Sequence, residues 1–285
     1  MLLSEQIKII ETPRDGMQGI DQFIPTGKKI EYINLLLKCD FDTVEVGSFV
    51  SPKAIPQMAD TAEVLNKIDL SGTKSKIAVL VANTKGGQLA VEFDQVDEFF
   101  YPFSTSPTFL KKNLHTTIEQ AEHTIDELQN LCIINKKELV AFISLAFGDP
   151  YGDPWSTDLV NRWVEKLVSK GIKKIPLADT IGNVSPELIE LVCKSVVPNF
   201  PDIEFGLHTH AYPGKGLSKI DAAWKSGIRR FDTVINGLGG CPMTDKELVG
   251  NLALEKLLEY CSLNKIETGI NEKQLLLARQ YNLLA

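Results

Sequence analysis

Eight short runs rich in β-branched and aromatic residues recur along this chain, and a helix-patterned stretch follows each of them. The runs are KIIET (8–12), TVEVGS (43–48), KIAVLVAN (76–83), VDEFFYPFS (96–104), ELVAFISLAFG (138–148), KIPLADT (174–180), IEFGLHTH (203–210) and FDTVING (231–237). Each is bounded by polar or turn residues and reads as a strand. Between them, TGKKIEYINLLLKC sets apolar residues at three-and-four spacing behind Thr26 as a cap. STDLVNRWVEKLVSKG opens on Ser-Thr-Asp and closes on Gly171, and SPELIELVCKSV and GLSKIDAAWKSG repeat the logic. Strands that alternate with helices pair in parallel, and eight such units make a (β/α)8 TIM barrel of α/β class. The rival is an open doubly wound sheet, which usually needs fewer strands and in its dinucleotide-binding form carries a Gly-rich turn after the first. Here that turn reads TPRDGMQ. With no low-complexity linker, residues 1–285 are expected to form a single domain. The stretch after about residue 253 is expected to be helical and packed outside the barrel.

Composition narrows the function classes. The net charge is −7 and no long basic block occurs, which argues against a nucleic-acid surface. No apolar run approaches bilayer-spanning length, and the N-terminal MLLSEQIKIIETPRDG lacks a signal pattern. A cytoplasmic location with no membrane partner is the expectation. Cys39, Cys132, Cys193, Cys241 and Cys261 are odd in number and lack CxxC spacing, which predicts reduced thiols, most of them small buried hydrophobes.

In a barrel the chemistry belongs at the C-terminal ends of the strands. Arg14 and Asp15 end the first strand, Glu45 and Ser48 lie on the second, Asn83 and Ser104 end the third and fourth, and Asp179 and Thr180 end the sixth. The seventh ends in His208 and His210, and GLGGCP, with Cys241, follows the eighth. Residues i and i+2 of a strand face the same side, so two of the four histidines point together. Together they can ligate one ion, and with the Asp15 carboxylate they suit an octahedral divalent cation such as Mg²⁺ or Mn²⁺. The same pair is compatible with one imidazole on a carbonyl and the other at the surface. Asp15 also fits a local pair with Arg14, Asp179 a helix cap, and Cys241 a packing thiol beside a tight turn. Glu45, set among apolar residues, is costly to bury unless paired, and Arg14 is its candidate partner.

Taken in order, PRDGMQ, VEVGSFVSPKAIPQMAD (44–60), FLKKNLHTTIEQA (109–121), LADTIG (177–182), GLHTHAYPGKGL (206–217) and NGLGGCP followed by GN (236–251) form a long pattern. It resembles the 3-hydroxy-3-methylglutaryl-CoA (HMG-CoA) lyases, in the metal-dependent barrel superfamily that also holds the isopropylmalate and homocitrate synthases. The resemblance implies that Asp15, His208, His210 and Asn251 bind a divalent cation, usually Mg²⁺ or Mn²⁺. It implies that Arg14 stabilises the thioester enolate, that Glu45 and Asp179 are needed for activity, and that Cys241 is a mobile-loop thiol. The implied reaction is a retro-Claisen cleavage of a CoA thioester to acetoacetate and acetyl-CoA, and the implied assembly is a homodimer. Lys111 and Lys112 are candidates for the CoA phosphates, or a solvated helix start.

Several positions depart from the lyase pattern. HAYPG stands where HDTYG is usual, so Ala211 replaces an acid and Pro213 enters the turn. GDPYG puts Asp149 in the place of a cysteine, IIETPRDG is one residue short, and MTDKELVGN replaces a Gly/Ala-rich run. These changes bear on loop closure and substrate identity more than on the metal. They leave room for a related 3-hydroxyacyl thioester, for an acetyl-CoA-dependent condensing synthase, or for a ligand-binding barrel without turnover.

Overall fold

The computed structural model describes residues 6–212, 214–239 and 249–284. Eight parallel strands close into a barrel in sequence order: β1 (Lys8–Glu11), β2 (Thr43–Ser48), β3 (Lys76–Leu80), β4 (Glu98–Ser104), β5 (Glu138–Ser144), β6 (Lys174–Asp179), β7 (Glu204–Thr209) and β8 (Arg230–Thr233). β8 pairs with β1 to close the ring, with Lys8 opposite Arg230 and Glu11 opposite Thr233. The helices are α1 (Pro13–Gln18), which lies at the mouth, and α2 (Thr26–Leu36), α3 (Thr61–Lys67), α4 (Thr84–Ala90), the one-turn α5 (Pro107–Phe109), α6 (Ile118–Ile134), α7 (Thr157–Ser169), α8 (Pro186–Val196), α9 (Gly216–Lys225), α10 (Leu254–Asn264) and α11 (Glu272–Gln280). α10 lies against α9 and α11 against α2, and the Tyr281 ring stacks on Tyr32 at 5.9 Å.

Alternation along the strands sorts the core into two. Ile9, Val44, Val79, Phe99 and Leu207 face outward and pack under the helices. Ile10, Ala78, Phe100, Val140 and Phe142 face inward and fill the waist of the barrel. Below the waist, the first residues of the strands form a charged floor. Lys174 bonds Glu98 and, at 2.7 Å, Glu138; Lys76 reaches both; Lys8 bonds Glu204; and Arg230 donates to Glu204 at 3.1 Å. Above the waist lies the mouth, where the candidate residues sit.

Three local expectations are corrected. Arg14 and Asp15 do not end a strand: β1 stops at Glu11, and both residues ride on α1, which starts at Pro13, a residue pre-set for the first helical position. Thr26 does not cap α2 but is its first residue; the Pro25 carbonyl closes the turn by accepting from Lys28 N–H at 2.9 Å. Asn83 lies beyond β3 and caps α4, its side-chain oxygen accepting from Gly86 N–H at 2.9 Å. Ser185 and Ser156 cap α8 and α7 in the same way, and Gly171 adopts φ +84° after α7. Cys39, Cys132, Cys193 and Cys261 are buried free thiols.

Candidate metal centre

The site is built from the ends of β7 and β8, from α1, and from a returning segment after β8. On β7, His208 points into the barrel, where its ring meets the edge of Phe142 at 5.7 Å. Thr209 points the other way, out through the wall, and donates to the Asp179 carboxylate at 3.0 Å. His210 continues past the ladder on the side of His208, and the two rings stand perpendicular with centroids 5.4 Å apart. Gly250–Leu252 runs back antiparallel beside His210: Ala211 N–H donates to Gly250 O, and Leu252 N–H to Thr209 O, both at 3.0 Å. That pairing delivers Asn251 to the mouth, where its amide Nδ2 donates to Leu238 O at 3.0 Å and the group supports the Asp15 carboxylate.

One ligand atom from each of Asp15, His208 and His210 lies within 4.8 Å of the other two, near enough to converge on one ion. Asp15 Oδ2 is 3.8 Å from His208 Nε2. Both Asp15 Oδ2 and His210 Nδ1 are buried without a hydrogen-bond partner. A buried polar atom left in that state costs about 1–3 kcal/mol, so the donor set fits a cation that would take up its lone pairs. Two imidazoles and a carboxylate make a mixed N/O set that a divalent cation can share.

The electrostatics sort these donors. Burial alone would raise the Asp15 carboxyl, but Arg14, His208 and His210 outweigh it and hold it below the ordinary carboxylate value. Burial and the neighbouring His208 push His210 down to about 4, so it stays neutral and keeps a lone pair for ligation. Burial also works against a His208 cation, yet Asp232, Asp15 and Glu45 together raise its pKa. Asp232 is the carboxylate beneath it, with Oδ2 3.2 Å from His208 Nδ1. That contact fixes the ring so that Nε2 faces Asp15, the arrangement that orients ligating histidines.

Arg14 is buried beside the ligands. Its Nη2 donates to Glu45 Oε1 at 2.7 Å, and its Nη1 to Gln18 Oε1 at 2.8 Å and to Asp15 Oδ1 at 3.3 Å. Gln18 in turn bonds Asp15 Oδ1. The register shift of β2 between Glu45 and Gly47 accompanies the inward setting of Glu45. Burial pushes the Glu45 carboxyl up to about 7, and Arg14 offsets part of that rise.

The structure places Asp179 apart from this cluster. Its carboxylate lies behind the barrel wall, where Oδ1 accepts from Gly182 N–H at 2.8 Å and Oδ2 from Thr209 and from Lys219 Nζ at 2.6 Å. Cys241 lies outside the described residues. The loop that leads to it is described as far as Gly239, which at φ +80° packs against α1; a Cβ there would lie 2.6 Å from Gly16 O. Ser48 Oγ accepts from Val50 N–H, Ser104 Oγ accepts from Ser106 N–H and donates across to Ser144 O on β5, and neither joins the donors; Thr180 Oγ1 accepts from Leu145 N–H. Asp149 holds its own loop by accepting from Tyr151 and Asp153 N–H. Lys111 and Lys112 are exposed on the turn after α5, with Lys112 over the Tyr151 ring at 4.6 Å.

Three residues about the site carry no weight in the sequence reading: the half-buried Gln18 and the buried Asp232 and Lys219. Asp232 had a usable signal, since it alternates with Arg230 and so faces inward next to His208. Lys219 had none, because a lysine on an amphipathic helix reads as solvent-facing.

The family model described as HMGL-like matches residues 6–281. The mitochondrial hydroxymethylglutaryl-CoA lyase of Bos taurus is 34% identical over 274 residues, covering 95% of this chain and 83% of its own. The cytoplasmic 3-hydroxy-3-methylglutaryl-CoA lyase of Rattus norvegicus is 33% identical over 271 residues, covering 94% and 78%. Among solved structures, an HMG-CoA lyase from Acinetobacter baumannii in complex with coenzyme A and 3-methylmalate superposes with a TM-score of 0.89 at 33% identity, over 98% of this chain and 90% of that one. The hydroxymethylglutaryl-CoA lyase of Pseudomonas aeruginosa gives 0.90 at 31% identity, over 99% and 93%. A match along nearly the whole chain, on the same barrel, leaves one conclusion: this chain belongs to the HMGL-like family.

Proposed function

We propose that this protein is a divalent-metal-dependent carbon–carbon lyase that cleaves HMG-CoA, or a closely related 3-hydroxyacyl-CoA, to acetoacetate and acetyl-CoA. The observation that carries the reading is the convergence of Asp15, His208 and His210, with Asp15 Oδ2 and His210 Nδ1 buried and otherwise unpartnered. Relatives that match nearly the whole chain, named as lyases of that substrate, support it.

Asp15, His208, His210 and Asn251 would hold Mg²⁺ or Mn²⁺, and a bound ion supplies Lewis-acid stabilisation of negative charge on substrate oxygen. Arg14, fixed by Glu45 and Gln18, holds positive charge at a set place in the mouth, where the enolate oxygen of the departing acetyl thioester develops. Glu45, near neutrality in pKa and buried, is suited to take or return a proton at physiological pH. Cys241 is assigned the proton delivery to the enolate carbon. Asp179 serves from behind the wall, through Thr209 and Lys219. A CoA thioester as substrate agrees with the coenzyme A bound in the Acinetobacter structure. A homodimer and a cytoplasmic location belong to the same proposal. Among the described residues no helix is long and apolar enough to cross a membrane.

The test is direct. Purified protein with Mg²⁺ and HMG-CoA should release acetoacetate, and release should stop with EDTA and fall at least a hundredfold in Cys241→Ala, in the range of a lost general acid. CoA release from acetyl-CoA plus a 2-oxo acid, without acetoacetate from HMG-CoA, would overturn the reading in favour of a condensing synthase.

A further inference from the structure

Lys219 is the least expected charge among the described residues. It stands on α9, on the outer side of the barrel wall, and is only 1% exposed. Its ammonium group has three N–H bonds and three close acceptors: Asp179 Oδ2 at 2.6 Å, Gly182 O at 2.8 Å and His210 O at 2.9 Å, with Thr209 Oγ1 farther off at 3.5 Å. The three acceptors come from the end of β6, from the loop that follows it, and from the residue just past β7. One cation therefore ties two mouth loops to a helix behind them.

The tie falls where β7 has least other support. The ladder ends at Thr209, and the His210 N–H reaches Asp179 O only at 3.3 Å. Gly182 sits directly over His210: at φ +78° it is in the left-handed region, and a Cβ there would lie 2.9 Å from the His210 Cβ. Asn251 reaches the mouth by pairing with His210. Two of the four candidate ligands thus depend on the backbone at 210, and Lys219 grips the carbonyl of that residue.

We infer that Lys219 and Asp179 form a buried brace whose task is to position His210, and through it Asn251, for the metal. Lys219 is a positioning residue: it reaches neither substrate nor ion, and acts through the His210 carbonyl. The inference rests on the metal-centre reading above and deepens it. A well-packed ion pair of this kind is weak evidence for stability. One strong donor on the backbone of a candidate ligand, held there by two more on the β6 end and the loop packed over it, is evidence for placement, because supporting groups of this kind change metal affinity by about tenfold to a hundredfold.

The experiment is a Mn²⁺ titration read by the EPR signal of the free ion, on wild type and on Lys219→Met, which keeps much of the side-chain length and loses all three donors. Circular dichroism checks the fold and a thermal melt its cooperativity. The expected result is a folded variant whose Kd for Mn²⁺ is about tenfold to a hundredfold weaker. A variant that melts lower but binds Mn²⁺ as wild type does would make the pair a stability element only and overturn the inference. Should Lys219→Met fail to fold, the double variant Asp179→Asn/Lys219→Met leaves no unpaired buried charge and is titrated in the same way. Weakened Mn²⁺ binding in it supports the brace, and wild-type binding overturns it. Wild type that binds no Mn²⁺ would sink the metal-centre reading itself, and this inference with it.

Discussion

Glu11, four residues before Asp15 and on the outer face of β1, offers a quantitative check on how the barrel wall holds a buried carboxyl. It ends β1 fully buried, with Oε1 accepting from Ile235 N–H at 2.8 Å and Oε2 3.1 Å from Thr233 Oγ1, whose hydroxyl also reaches Ile10 O at 3.2 Å. Burial lifts its pKa from 4.5 to about 8, against the pull of the Ile235 and Thr233 hydrogen bonds. The sign follows from proton counting. Between pH 4.5 and about 8 the folded chain keeps a proton that the unfolded chain has lost, so stability falls as pH rises, by about 1.36 kcal/mol per unit. Integrated over that window, the loss is about 3 kcal/mol at pH 7 and about 4 kcal/mol at pH 8. Glu11→Gln removes the linkage and keeps the geometry: its oxygen accepts from Ile235 N–H, its NH₂ donates to Thr233 Oγ1, and that hydroxyl donates to Ile10 O. Urea unfolding at pH 5, 6, 7 and 8 should show the two proteins equal near pH 5 and the variant pulling ahead by several kcal/mol at pH 8. Parallel stability curves, or a variant less stable at pH 8, would refute the claim that this carboxyl is buried neutral.

Two further outcomes concern the metal donors. His208→Ala should abolish acetoacetate release and weaken Mn²⁺ binding while the circular dichroism spectrum is retained, because the ring sits at the mouth above an apolar waist that it does not hold together. Asp232→Asn keeps an acceptor for His208 Nδ1 but drops the charge, and should weaken Mn²⁺ about tenfold to a hundredfold by calorimetry; unchanged affinity would mean that Asp232 serves the floor alone.

The barrel was legible in the sequence because parallel strands covered on both faces read as apolar, β-branched runs. Their C-terminal bounds were less legible. The fifth run continues as LAF beyond Ser144, but Leu145 takes φ +59° and leaves the ladder; after the eighth, Asn236 does the same at φ +60°. Local composition cannot register the point where a neighbouring strand stops offering partners. The histidine pair was legible from its period of two, and Asp15 from a reading that set it at the end of the first strand, although it rides on α1. Asn251 came into view only through the resemblance, since the antiparallel pairing that brings it to His210 is a long-range event. The Lys219 brace was illegible for the same reason: its three acceptors span residues 179 to 210, and nothing on α9 announces them.

The two ends of the barrel differ in how they settle charge, and that difference locates the chemistry. At the floor, Lys8, Lys76, Lys174 and Arg230 meet Glu98, Glu138 and Glu204, and Arg230 Nε also lies 3.6 Å from Asp232. Cations and carboxylates there match one for one, so burial is compensated within the chain, as a face devoted to stability requires. Behind the mouth, Lys219 matches Asp179 in the same way. Inside the mouth the matching stops. Arg14 faces both Asp15 and Glu45, His210 is held neutral, burial drives Glu45 up to about 7 with Asp15 adding to the rise, and Asp232, Asp15 and Glu45 draw positive charge onto His208. Among the described residues this place is left short of a cation, and it is so among nitrogen and oxygen donors that a divalent ion can share.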